Sequence, residues 1–448
     1  MEWVAIIGGM AAAVWGVALF TRGGLAAGCF AVLVSGIWFG YPWMHWKWGP
    51  LALTTDRVLW MALMGQYAVW RRLGLADPKP WRAPDAALAG LLLVLAASTL
   101  THDWQTDEYR PAARLVFFYV VPAGLYWVAR QSPLREGTVR MVLLGWSGLG
   151  VCLAVTAVAE AAGWYELVFP RYIVSPQYPE FLGRGRGPLL NPVGNGILMG
   201  TSLAALMLLW PIAGRWGKLA VMALAAVITA GLGATLTRSV WMGGLATVVL
   251  VVGLAASKPW RGLLAAGLAG AVLVAALCSE SLIAFQRDRG LSAQETAESV
   301  HLRPILAEIA WRMFCDRPLA GCGFGQYLNE NRNYLADRTS ERPLEKARPY
   351  VQHNLFLSLL VETGLLGAGL IVLVLGFWLR DAWRLWRTEQ APLWARQGAL
   401  MFTAAWINYV INGLFHEVSL IPMVNAAMFL GAGINAGLAT HAAADWRR

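Results

Sequence analysis

The chain has 448 residues, of which 58% are hydrophobic and 14% charged, and it carries a formal net charge of +10. That composition excludes a soluble globular protein, because a core of this size could not hide so many apolar side chains from water. The positive charge gathers in short connections such as "RRLGLADPKPWR", "ARQSPLREGTVR", "SKPWR" and "LRDAWRLWR", whereas the connections between them, "THDWQTDEY" for one, are neutral or acidic. This alternation is the positive-inside pattern of a membrane protein, and it argues against nucleic acid as the reason for the charge.

Apolar runs long enough to cross a bilayer core of about 30 Å recur from end to end. They predict spans near 4–20, 24–40, 56–71, 85–100, 112–129, 138–161, 191–211, 217–235, 239–256, 261–278, 354–379, 396–414 and 420–440. The fold class is therefore all-α, a polytopic helical membrane protein of about 12–13 transmembrane helices with a helical external loop. The first run, "VAIIGGMAAAVWGVALF", lacks a basic leader and an A-x-A site, so it reads as a span and not as a signal peptide. Five regions follow: N-terminal spans in 1–161, a first external loop in 162–190, central spans in 191–278, a large external loop in 279–352 and C-terminal spans in 353–448.

In chain order, the first unusual connection is "IWFGYPWMHWKWGP", which clusters Trp38, Trp43, Trp46 and Trp48. It reads as an interfacial aromatic anchor, with a sugar-stacking platform as the alternative. The large loop 279–352 holds ten acidic and ten basic residues, so it is charge-balanced and solvated. Within it "RPILAEIAWRMFCDRPLAGCGFGQYL" keeps helical periodicity through Trp311 and breaks at Pro318 and the glycines that follow. A small helical cap is expected there. Cys315 and Cys322 share this loop and could pair, but their spacing matches no redox or metal motif. No metal-ligand cluster, P-loop or nucleophile elbow is present in the sequence, so no metal and no cofactor are expected.

Charged and amide side chains near the membrane are costly and normally face a bundle interior or cavity. "LGRGRGPLLNPVGNG" sets Arg184 and Arg186 among glycines, followed by Asn191 at a helix start. "LTRSVWMGG" sets Arg238 and Ser239 in a break between two spans, and His353 and Asn354 stand at the start of "HNLFLSLLVETGLLG". By the charge pattern all of these fall on the external side. Asn408, Asn412 and His416, spaced four apart, form a stripe on one helix face. The stripe is either interhelical glue or the lining of a polar groove. Glu362 lies nine residues beyond His353, half a turn around the helix and about 13 Å deeper, which suits a buried structural hydrogen-bond partner.

Arginines converging on one face suggest an anionic ligand, since guanidinium offers a planar fork matched to phosphate oxygens and keeps its charge when partly buried. A histidine at a helix start can serve as a general base, and the helix dipole disfavours its protonated form.

These residues also carry a resemblance. "HNLFLSLLVETGLLG" resembles the signature of the O-antigen ligase and O-antigen polymerase superfamily: His-Asn, nine residues, Gly, two residues, Gly. "LTRSVWMGGL", "RGRGPLLNPVGNG" and "RPLAGCGFGQY" are similar to that family's Arg-Ser, Asn-Pro and Pro-Leu-x-Gly-x-Gly segments, and the four together cover about residues 180 to 370. The resemblance implies a metal-independent glycosyltransferase of the bacterial inner membrane with its active site facing outside. Its donor would be a glycan on undecaprenyl pyrophosphate. Its acceptor would be a hydroxyl of lipid A-core or of another sugar chain, with membrane lipids as surroundings and no nucleic acid. Arg238 and one of Arg184 or Arg186 would then hold the pyrophosphate, Arg184 being favoured, and His353 would activate or orient the acceptor. Asn191, Ser239, Asn354 and His416 would complete the substrate-binding set.

A polymerase of the same superfamily shares these motifs, and a protein or teichoic-type acceptor fits them as well. A lipid-linked glycan transporter is the rival class. It would be expected to show internal repeats and midplane polar residues, whereas no repeat relates the halves and the strongest polar sites lie at the external ends.

Overall fold

The computed structural model describes residues 24–43, 45–48, 51–105, 110–277, 293–336, 340, 342–348 and 350–444. Helices dominate, as the run lengths require. They are α1 (Gly24–Trp38), α2 (Thr55–Arg72), α3 (Ala83–Leu100), α4 (Pro111–Arg130), α5 (Glu136–Ala162), α6 (Pro192–Leu208), α7 (Arg215–Ala234), α8 (Arg238–Ala255), α9 (Lys258–Leu277), α10 (Ala293–Asp316), α11 (Leu355–Arg387), α12 (Leu393–Gly413) and α13 (Pro422–Ala444). Eight helices of the described residues are long and apolar enough to cross a membrane. α1 is apolar but shorter, and α2, α9 and α12 are helices at the positions of further expected spans. The expected first span, 4–20, lies outside the described residues. Two three-residue strands, β1 (Trp46–Trp48) and β2 (Leu51–Leu53), pair antiparallel in the tryptophan-rich connection, a ribbon the sequence did not suggest.

α6 is the most deeply buried helix, packed by α5, α7, α8 and α12. It can be so because its residues are small or branched apolar ones with Gly194, Gly196 and Gly200 among them. The side chain of Asn408 on α12 occupies the space left by Gly200 of α6 and Gly243 of α8. It donates to the Ile197 carbonyl at 2.9 Å, and Asn412 donates back to Asn408. Asn408 is thus interhelical glue, and Asn412 supports it from one turn along the same helix. The predicted stripe ends there, because α12 stops at Gly413 and His416 lies in the turn beyond it, its backbone N–H bonded to Asn412.

α10 begins the helical cap, as expected, and ends at Asp316, two residues before Pro318. Ile305, Leu306, Ile309, Ala310 and Met313 form its apolar face and pack with Tyr327, Leu344, Ala347 and Val361. Cys315 is exposed while Cys322 is buried, and both are free thiols. In the first loop, Trp38 and Trp43 meet Phe169, and Trp43 also meets Tyr172, so these tryptophans hold the loop 162–190 on the bundle.

One predicted span is corrected in detail. α11 is not one continuous helix: Gly364, at φ 61 and ψ −161, breaks it. The lost helical hydrogen bonds are replaced by the chain after α10, which lies along the break. Cys322 and Gly323 donate to the carbonyls of Val361 and Glu362 at 2.9 and 3.0 Å, and Leu365 donates to Pro318 at 2.8 Å. Only glycine at 364 satisfies both the positive φ and the contact with the Leu319 backbone.

Candidate active site

The segment between α5 and α6 sends its two arginines to different places. Gly185, at φ 54 and tight against the Ala234 backbone, turns the chain between them. Arg186 goes inward. It is fully buried and donates to the carbonyls of Tyr178, Glu180 and Ile173, with Glu160 at 3.4 Å from its Nε. Its two terminal nitrogens donate to the loop itself, an arrangement that suits a scaffold role more than a substrate contact. Arg184 goes toward α8, donating to Thr237 Oγ1 at 3.2 Å and lying 5.1 Å from the Phe181 ring.

Three helices begin in the same way at this end of the bundle. Leu190, Leu236 and His353 have left-handed φ values of 53, 48 and 51, and each precedes the N-cap residue of α6, α8 or α11. Non-glycine residues adopt that conformation only where the surroundings hold them there. Asn191 caps α6, its Oδ1 accepting from Val193 and Gly194 at 3.0 Å each. Asn354 caps α11 likewise, with Phe356 and Leu357 as donors at 2.9 and 3.0 Å, and its amide donates to the Leu414 carbonyl at 2.9 Å. These two asparagines spend their oxygens on helix ends.

α8 differs. Its N-cap, Thr237, makes no side-chain cap, because the hydroxyl donates to the Thr235 carbonyl at 2.8 Å and accepts from Arg184. Arg238 is the first helical residue, and Ser239 is next, buried, with its Oγ lacking a hydrogen-bond partner. An uncapped helix N-terminus carries unsatisfied N–H groups and a partial positive charge, which suits an anion.

His353 is half-buried at the entrance of α11, its ring 6.5 Å from that of Tyr350. Desolvation and then the charge of Arg303 push its pKa below the ordinary histidine value. Arg303, on α10, is itself pushed down by desolvation and by Arg238. Its guanidinium lies 5.6 Å from the Phe415 ring, in the same turn as His416. Thus α8, the cap and α11 bring Arg238, Arg303 and His353 within electrostatic reach of one another, with Arg184 attached through Thr237. Sequence reading did not single out Arg303. It follows the apolar face of α10 without any motif of its own, and only the docking of the cap brings it to His353.

Below this cluster lies a second network that sequence reading found only in part. Glu362 is buried, as its position suggested, and its partner is Arg114 of α4, at 2.8 and 3.0 Å. Arg114 also donates to Glu417 at 2.6 Å, and Ser358 donates to the same carboxylate at 2.6 Å. The Arg114 guanidinium lies 4.4 Å from the Phe324 ring. Among the described residues, no group of three or more His, Cys, Asp and Glu side chains converges as a metal site requires.

The structure is a helical membrane protein with a histidine and several arginines at the helix entrances of one bundle end. Residues 220–372, about a third of the chain, match the family model described as O-antigen ligase, which supports membership of the O-antigen ligase superfamily. The matched stretch contains Arg238, Ser239, Arg303, His353, Asn354 and Glu362, whereas Arg184, Arg186, Asn191 and His416 lie outside it. No curated protein matches the chain.

Proposed function

We propose that the protein transfers a glycan from undecaprenyl pyrophosphate to an acceptor hydroxyl, on lipid A-core or a similar acceptor, at the external face of the bacterial inner membrane. The observation that carries this reading is the uncapped N-terminus of α8, flanked by Arg184, Arg238 and the unpartnered Ser239 hydroxyl. A pyrophosphate there would receive guanidinium and backbone donors together.

In the transfer, the acceptor oxygen forms a bond to the anomeric carbon of the donor sugar as the bond from that carbon to the phosphate oxygen breaks. The electron pair leaves on the lipid pyrophosphate, where Arg184, Arg238 and Arg303 stabilise the developing charge. The acceptor proton passes to His353, which burial and Arg303 keep neutral and able to accept it. The energy resides in the lipid-linked bond. Membrane orientation is supported by charge: the opposite ends of α3, α5, α8 and α11 run into the basic connections that the positive-inside rule places in the cytoplasm.

The test is transfer by purified protein in nanodiscs from a polyprenyl-pyrophosphate glycan, with chelator present and without nucleotide. Product is expected; activity lost to chelator and restored by a divalent cation would overturn the arginine-based account. Surface glycans of a deletion strain identify the acceptor: free polymer beside unsubstituted core marks a ligase, and single-repeat units mark a polymerase.

A further inference from the structure

A cavity of about 220 Å³ opens between the entrances of α2, α6 and α13, lined among others by Tyr41, Thr54, Asp56, Arg57, Phe117 and Asn191. Pro188, Leu189 and Asn191 of its lining belong to one of the segments that carry the resemblance, and the transfer steps proposed above use none of its residues. The α4 wall of the cavity includes Phe117, which lies in a π-helical turn, Val116–Val120, of a kind often found at functional sites.

Its chemistry differs from that of the arginine cluster. Thr54 is only 2% exposed and its Oγ1 has no hydrogen-bond partner, an arrangement that costs stability unless a ligand supplies one. Asp56 is buried to 7% exposure, and Arg57 lies 3.3 Å above the Phe117 ring centroid. The carboxylate and the guanidinium are the two charged groups of the lining, and they cancel. Asn191 uses its oxygen as a helix cap, which leaves its amide nitrogen to offer. The remaining wall is apolar, with Leu420, Ile421 and Met423. Hydroxyl, carboxylate and amide groups around a neutral, partly apolar space fit a polyhydroxylated ring, whereas the buried carboxylate disfavours a phosphate. The volume is below the roughly 300 Å³ at which pockets for drug-sized ligands begin, so it suits a single ring.

Two segments of the cavity wall are continuous in the chain with segments that carry the site. Pro188, Leu189 and Asn191 follow directly on the Arg184 segment, and Leu420 to Pro422 follow directly on the turn that holds His416 and Glu417. We propose that this cavity is a sugar subsite that holds one neutral hexose ring of the acceptor glycan while the acceptor hydroxyl lies at His353. The assignment to the acceptor rests on the transfer reading above; the binding of a neutral sugar ring does not.

Saturation-transfer NMR on the full protein in nanodiscs, with galactose, glucose and N-acetylglucosamine as probes, tests the binding directly. At least one hexose is expected to bind, undisplaced by inorganic phosphate, and Thr54→Val and Asp56→Asn should each weaken it about 10-fold, the scale of losing a charge-assisted or buried hydrogen bond. Thr54→Val keeps the side-chain shape, so it reports on binding even if Asp56→Asn folds poorly. In the transfer assay both variants should raise the acceptor KM while leaving donor affinity unchanged. No hexose signal, equal signal in the Thr54→Val variant, or displacement by phosphate would overturn the subsite. Hexose binding without any glycan transfer by the wild type would instead sink the transfer reading and leave the sugar site standing. A rise in donor KM alone would remove the acceptor assignment.

Discussion

Two arginine centres stand at successive depths in the same end of the bundle, and they are built on opposite principles. Arg114 is buried to 3% exposure and faces two carboxylates, Glu362 and Glu417, with Ser358 and Ser419 completing the oxygens. Arg303 and His353 instead feel other cations, Arg238 acting on the first and Arg303 on the second. A buried matched cluster is a brace, and like charges brought near one another favour an anion, as the proposed function requires. The brace joins α4, the part of α11 before its break and the turn after α12, and the last two of these also carry His353 and His416 at their ends.

The comparison can be broken first at the brace. Arg114→Met leaves two buried carboxylates without their cation, and removal of one partner of a buried charged network costs about 3–5 kcal/mol. A large fall in thermal unfolding temperature is expected in detergent, with Glu362→Gln, which keeps a hydrogen-bonding side chain, losing much less. If Arg114→Met unfolds like the wild type and only turnover falls, the brace belongs to the chemistry and the contrast fails.

Next in size is the effect expected at His353, the proposed base. His353→Ala should slow transfer by about 100-fold or more, the usual scale of general acid–base assistance, while donor binding and unfolding temperature stay near wild type. Full turnover, or abolished donor binding, would remove His353 from the acceptor side.

Arg238→Lys keeps the charge and loses the planar fork. Loss of a charge-assisted hydrogen bond of about 1.5–3 kcal/mol should appear as weaker donor binding and slower transfer together, measured by donor titration and single turnover. Arg186→Lys makes the sharper control. It should lower stability through the loop and leave donor affinity of the folded fraction unchanged, the reverse of Arg238→Lys.

The smallest effect is in pH dependence. His353 acts as a base only when neutral, so activity falls as pH drops through its pKa, which burial and Arg303 hold below the ordinary histidine range. Arg303→Gln removes one of these influences, raises that pKa and moves the acidic limb of the rate profile upward. A limb that stays in place, or moves down, would show that the titrating group is not His353 beside Arg303.

Much of this was legible because it is local. Apolar run length and the alternation of basic connections depend on nearest residues along the chain, and so do helix entrances such as Asn-Pro and His-Asn. From these alone the membrane class, the helical cap up to Pro318, the burial of Glu362 and the motif residues Arg238 and His353 follow. The partners of those residues do not follow, because they come from elements far apart in sequence. Arg114 and Glu417 lie 248 and 55 residues from Glu362, and neither stands in a motif. Arg184 and Arg186 are alike in sequence, and only the turn at Gly185 sends one to α8 and the other into its own loop. The break at Gly364 is hidden within an unbroken apolar run, since what makes it tolerable is the backbone of Pro318–Gly323 lying against it. Sequence by itself determined the solvent, the spans and the chemical vocabulary of the site. Tertiary packing decided which groups stand together, Arg114 with Glu362 and Glu417, and Arg303 with His353, because charge interactions depend on distances that no local pattern encodes.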